Sequence, residues 1–191
     1  MKKVWAMYFS PTGGTEKAVK TTAEALAYKL GLPLDTYDFT LPDMREGEAV
    51  FGEGDIVVCG TPVIAGRVPN VLLPYLTGRV KGNGALAVPV VSYGNRNFDD
   101  ALMELRNILE EDGFKTVAGG AFVSEHSFSK TLAAGRPDEK DIAIMRKFGE
   151  KIAEKLMDGW VYTAPASSSV VTRLSIDSDI ILSTGSKNLS L

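Results

Sequence analysis

A single cysteine, Cys59, and a single histidine, His126, are all that this chain of 191 residues offers to thiol and imidazole chemistry. One thiol excludes an internal disulfide framework and any iron–sulfur cluster held by several thiolates of this chain. One histidine cannot build a metal cluster, and no serine motif makes it a triad member. No apolar run approaches the ~20 residues that a membrane span requires. The opening, Met1-Lys2-Lys3-Val4, reaches Pro11 with too short an apolar stretch for a signal peptide, so the cytoplasm is the expected compartment. A basic excess is missing too: a formal net charge of −3 argues against sequence-independent nucleic-acid binding. What remains is an ordinary globular composition, 45% apolar and 24% charged, at a length that suits one domain with a sizeable core.

Hydrophobic periodicity divides the chain into alternating elements. Residues 4–9 read as a buried strand that stops before Pro11. From Gly14 the period changes: Val19, Ala23, Leu26 and Leu30 share one face of a helix ending at Gly31. Further strands are expected over residues 34–39, 55–59, 85–91 (despite Pro89) and 115–123. Val68 to Leu76 reads as a short helix begun near Pro69 and interrupted at Pro74. Leu102, Leu105 and Leu109 mark a helix ending near Gly113, and Met145, Phe148, Ile152 and Leu156 a last one that starts near Pro137-Asp138 and ends at Gly159. Five strands alternating with helices predict an α/β doubly wound parallel sheet with helices on both faces. Such sheets bind ligands beyond the carboxyl ends of the strands, where the winding reverses. After Trp160 the composition shifts to A-P-A-S-S-S and then to patchy alternation. Residues 161–191 are therefore expected to be a loosely ordered appendage, with strand addition to this or another subunit as the lesser alternative.

The loop S-P-T-G-G-T, Ser10 to Thr15, joins the first strand to the first helix. A helix start leaves N–H groups unpaired and carries roughly half a positive charge, so it favours an anion without a cationic side chain. Gly13 and Gly14 allow tight bending, while Ser10, Thr12 and Thr15 add hydroxyl donors. The plainer alternative is a turn with a capping hydroxyl. Neither G-K-[ST] nor G-x-G-x-x-G is present, which leaves a monophosphate as the expected ligand.

That loop matches the [ST]-x-T-G-x-T phosphate loop of the flavodoxins, electron carriers that bind flavin mononucleotide (FMN). G-T-P-V-I-A-G-R-V-P (Gly60 to Pro69) after the third strand and S-Y-G-N-R-N-F-D-D-A-L (Ser92 to Leu102) after the fourth agree in order and position. The chain most resembles the flavodoxin domain of bacterial flavodoxin–ferredoxin fusions, with Glu125-His126-Ser127-Phe128 and Gly135-Arg136-Pro137 fitting that subgroup. The resemblance covers roughly residues 3 to 159. It implies strand order 2-1-3-4-5, an FMN-binding domain over 1–160 and an extension over 161–191. Those fusions carry cysteine-rich cluster motifs after this domain; here the tail has no cysteine, so the expectation is either a stand-alone relative or a chain without its ferredoxin part.

By resemblance, Ser10, Thr12, Gly13, Gly14 and Thr15 grip the flavin phosphate. Thr61, Pro62, Val63, Ile64 and Gly66 line one face of the ring, with Ile64 where many relatives place an aromatic residue. This loop turns a peptide toward the flavin as its redox state changes, and Gly66 supplies the freedom to do so. Ser92, Tyr93, Gly94, Asn95, Arg96 and Phe98 come from the third loop, with Phe98 at the stacking position and Tyr93 the second candidate. Each has a plainer alternative: Phe98 as a staple on the next helix, Gly94-Asn95 as an ordinary turn, Arg96 as a solvated surface charge. Asp99-Asp100 read as helix caps rather than metal ligands. Cys59 reads as a buried core residue; Arg67 lies too far along the chain for a C-x₅-R phosphatase loop. His126 has a loop role or touches the flavin edge. An apolar, weakly acidic pocket is expected to lower the flavin's reduction potential. The function implied is electron transfer with a redox protein partner, ferredoxin-like or a reductase. The alternative is an FMN-dependent NAD(P)H oxidoreductase that reduces a quinone or another small acceptor, and a third reading is a flavin-binding regulatory module.

Overall fold

The computed structural model describes residues 2–129, 131–160 and 180–182. In chain order the strands are β1 (Val4–Tyr8), β2 (Leu34–Asp38), β3 (Ala49–Val50), β4 (Ile56–Pro62), β5 (Val80–Lys81), β6 (Leu86–Tyr93), β7 (Lys115–Thr116), β8 (Gly119–Val123) and β9 (Ile180–Leu182). The α-helices are α1 (Gly14–Leu30), α2 (Leu73–Arg79), α3 (Ala101–Glu111) and α4 (Glu139–Met157). The main sheet is parallel and runs β2-β1-β4-β6-β8-β9, so the five expected strands stand in the order 2-1-3-4-5. β9, from the tail, adds a parallel strand beside β8, Gly119 opposite Ile180. The remainder of the expected appendage, 161–179 and 183–191, lies outside the described residues.

Alternation along the strands makes two cores. Val4, Ala6 and Tyr8 face α1 and α4, packing with Val19, Leu26, Met145 and Phe148. Met7 and Phe9 face the opposite layer, with Phe39, Leu72, Leu76, Leu105 and Leu109. α1 closes at Gly31 in the left-handed region (φ 64°), its N–H on the Ala27 and Tyr28 carbonyls. Asp138 caps α4 in a reciprocal capping box with Asp141.

Two expectations change, and one feature is added. The helix from Val68 to Leu76 is a 3₁₀ turn (Asn70–Leu72) followed by α2, and Pro74 sits in the first turn of α2, where its missing N–H costs nothing. The fifth strand is broken at Val117-Ala118. Ala87 pairs with Thr116 but Val90 with Gly120, so one extra residue is inserted opposite Pro89, whose ring nitrogen has no hydrogen to give the ladder. A small sheet of β3 and β5, invisible to periodicity at two residues each, stands apart from the main one.

Candidate functional site

The first loop lies where β1 enters α1. Gly13 is the N-cap residue at φ 84°, and no side chain caps the helix there. Ser10 Oγ instead accepts from the Glu16 N–H at 2.9 Å. The N–H groups of Thr12, Gly14 and Thr15 find no acceptor among the described residues. Thr15 is buried, and its hydroxyl lies 2.6 Å from that of Ser92. A cavity of about 560 Å³ opens at this helix start, walled by Thr12, Gly13 and Gly14 on one side. The connection from β8 to α4 forms the other side, through Ser124, Glu125, His126, Gly135 and Arg136.

Two cations reach that cavity although the loop holds none. Lys17, one turn into α1, places Nζ 3.0 Å from the Pro137 carbonyl oxygen. Arg136 makes a two-pronged ion pair with the buried Asp141 carboxylate, which raises its pKa further. Its charge is largely answered there, so the loop amides and Lys17 provide the open positive potential.

The second and third loops enclose a neighbouring cavity of about 380 Å³. Ile64 and Arg67 exchange both backbone hydrogen bonds, at 3.0 and 3.1 Å, around Ala65 (φ 52°) and Gly66 (φ 76°). Both central residues at positive φ make this a tight hairpin of type I′. Arg67 and the Val68 N–H converge on Glu104 of α3, which anchors the hairpin from below. Across the gap, the Asp100 N–H donates to the Gly66 carbonyl at 3.2 Å, so the two loops touch.

Of the residues expected to hold the ring, Val63, Gly66, Tyr93, Gly94 and Arg96 line this cavity, joined by Ala65, Asn97, Asp99 and His126. Tyr93 is buried, and burial raises the pKa of its phenol while the Arg136 charge opposes the rise. Phe98 packs on the core beside Tyr93, ring centroids 5.5 Å apart, and is not among the lining residues. Thr61 is fully buried behind Pro62, Ser92 is tied to Thr15, Asn95 sits at φ 58°, and Ile64 is 56% exposed at the hairpin tip. Asp100 occupies the N-cap position of α3 but makes no side-chain cap bond; Asn97 braces the turn instead, its Oδ1 accepting from the Phe98 and Asp99 N–H groups. Cys59 is completely buried, and burial pushes its thiol up to about 12, which suits a core residue. Among the described residues no group of three or more His, Cys, Asp or Glu could hold a metal ion, and no helix is long and apolar enough to cross a membrane.

Reading the sequence does not single out Lys17 or Ser124. Lys17 carries no local signal beyond its place one turn past the loop. Ser124 looks like the end of any strand, and only the strand order brings it beside Gly14.

No protein-family model matches the chain, and no curated protein matches it. Solved structures do. A flavodoxin from the domain Archaea superposes with a TM-score of 0.59 at 16% identity, covering 82% of this chain and 99% of that one. A flavodoxin of Streptococcus pneumonia TIGR4 gives 0.54 at 23% identity, with 80% and 98% covered. A flavone reductase gives 0.57 at 10% identity, with 84% of this chain and 66% of that chain covered. The fold is flavodoxin-like.

Proposed function

We propose that residues 1–160 bind FMN and that the protein serves as a cytoplasmic electron carrier for a redox protein partner. The observation that carries this reading is that Thr12 and Gly14, whose N–H groups find no acceptor among the described residues, wall one cavity at the helix start, with a second cavity adjoining it between the other two loops. The donor set suits a phosphate monoester: neutral amides at a helix start, with one lysine close by. The fit extends to the second cavity, whose walls of Val63 and Tyr93 can take a flat apolar ring. Bound flavin supplies the redox chemistry.

The chain's own part is to hold and to shield. Amides of the first loop hold the phosphate. The Ile64–Arg67 hairpin and the turn after β6 clasp the ring from two sides. Arg96 and Asp99 set the field at its rim. A protein partner is our reading of the acceptor; Ile64 on the second loop and Phe128 on the loop after β8 are exposed apolar side chains on loops that follow strand ends.

Reconstitution tests the reading. Purified protein is expected to turn yellow with added FMN and to bind it at micromolar concentration or below. A colourless product overturns the proposal. Mixing the flavin-loaded protein anaerobically with reduced nicotinamide then separates the two activities. Slow or absent bleaching, with reduction by a ferredoxin system, supports the carrier; fast bleaching supports the oxidoreductase.

A further inference from the structure

We propose that His126 is a binding residue for the polyol chain of the flavin nucleotide, donating a hydrogen bond from its Nε2–H. This rests on the flavin reading above and extends it to a fourth segment of chain. His126 follows β8 by three residues, in a loop that folds back on itself. The Glu125 N–H donates to the Arg136 carbonyl at 2.9 Å, the His126 N–H to the Leu132 carbonyl at 3.2 Å, and the Gly135 N–H to Glu125 Oε2 at 2.9 Å. The backbone beneath the imidazole is therefore tied on both sides.

The imidazole is fixed as firmly. Its Nδ1 accepts two backbone N–H groups, from Phe128 at 3.1 Å and Ser129 at 3.2 Å. A nitrogen that accepts twice carries no proton, so the neutral ring bears its hydrogen on Nε2. The ring lies against Gly94: a Cβ there would stand 2.6 Å from His126 Cδ2, so only glycine admits the imidazole at this place. Nε2 has no partner among the described residues, and it is not among the buried polar atoms sealed from solvent. A fixed, neutral, unpaired donor is thus held open.

Its position says to what. Among the described residues, His126 alone borders both cavities, the one at the phosphate loop and the one between the second and third loops. A nucleotide with its phosphate in the first and its ring in the second must pass its polyol across the boundary. Hydroxyl groups accept from an imidazole N–H, and a neutral donor adds no charge that would compete with the amides for the phosphate.

Two substitutions separate the loop role of Nδ1 from the donor role of Nε2. Asparagine places an acceptor near the Nδ1 position and nothing at Nε2; glutamine places an N–H near Nε2 and removes the acceptor. Affinities of wild type, His126→Asn and His126→Gln are measured by fluorescence titration with three probes: FMN, riboflavin (no phosphate) and lumiflavin (no polyol). His126→Asn is expected to bind FMN and riboflavin roughly 2- to 10-fold more weakly, with lumiflavin unchanged. His126→Gln is expected to recover part of that loss. A loss confined to FMN, a loss that includes lumiflavin, or no loss overturns the proposal while leaving the flavin reading intact. Nitrogen-15 NMR of the wild type gives a second readout that a loop-only role would not move: the Nε2–H is expected to exchange more slowly with riboflavin bound, but not with lumiflavin bound. Equal exchange in the two complexes overturns the assignment. Wild type that binds none of the three flavins overturns the flavin reading and this assignment together.

Discussion

The hydroxyls of Thr15 and Ser92 lie 2.6 Å apart beneath the mouth of the sheet, and this contact joins the first loop to the base of the third. Both residues are buried, so neither hydroxyl has bulk water as a substitute partner. Removing one strands the other, which costs about 1–2 kcal/mol, whereas removing both leaves nothing unpaired. Ser92→Ala and Thr15→Val are each expected to destabilise the protein by that amount in urea unfolding. The double variant is expected to lose less than the sum, with a coupling of ~1 kcal/mol. Strict additivity would show that the contact carries no net free energy.

Gly14 opens α1 directly against Ser124. A Cβ at position 14 would stand 2.8 Å from Ser124 Oγ and 2.9 Å from its Cβ, too close for either to remain. Gly14→Ala is therefore expected to push the helix start away from β8 and to spread the three unpaired N–H groups. FMN affinity should fall by ~10-fold, about the loss of one charge-assisted hydrogen bond. Since both Ser124 side-chain atoms obstruct, Ser124→Gly is the change expected to restore binding in the double variant, and Ser124→Ala is not. Flavin titrations of the four proteins decide it.

How much of this was legible in the chain depends on whether a feature is local. The period change at Gly14, the buried run ending at Gly60 and the turn residues from Gly94 to Asp100 each announce an element in its own residues. Alternation and crossover handedness reach only a doubly wound parallel sheet; the order 2-1-3-4-5 comes from the family resemblance of the three loops. The β7–β8 break is different, because Pro89 causes it from the neighbouring strand. The Ile64–Arg67 hairpin is different again: Ala65 at φ 52° is a conformation that alanine does not advertise. Ser124, Lys17 and the ring placement of His126 depend on which strand ends become neighbours, a property no window of sequence contains.

Asp112, just past α3, gives a pH dependence of unusual sign. Burial raises its carboxyl to about 6, with Glu111 adding to the rise and Lys81 opposing it. Its Oδ2 is buried without a partner, at a helix end that disfavours negative charge. An acid whose folded value exceeds its unfolded value contributes stability below the unfolded value and loses it as pH rises through about 6. Asp112→Asn is therefore expected to leave stability nearly unchanged at acid pH. At neutral pH it should raise stability by ~1 kcal/mol, discounted from the full shift because the residue is only half-buried. Thermal unfolding of both proteins across that range measures it, and an equal gain at every pH would count against the charge as the cause.

Glu104 works in the opposite sense and bears on the site. The Arg67 guanidinium holds its carboxyl below the ordinary carboxylate range; the Val68 N–H, at 2.7 Å, lowers it further while burial opposes. A depressed acid contributes stability above its unfolded value and loses it as pH falls through the folded one. What is lost here is an anchor, because Glu104 ties the base of the Ile64–Arg67 hairpin to α3. Glu104→Gln keeps the shape and removes the charge, so at neutral pH it is expected to cost about 1 kcal/mol through the weakened bond to the Val68 N–H. The hairpin is also proposed as one wall of the ring cavity, so lumiflavin affinity should fall with it. Binding of inorganic phosphate at the first loop, which Glu104 does not touch, should stay as it was. Under acid conditions, once the wild-type carboxyl takes its proton, the two proteins should converge in both stability and lumiflavin affinity. Stability that converges while affinity stays apart would detach the hairpin from the ring.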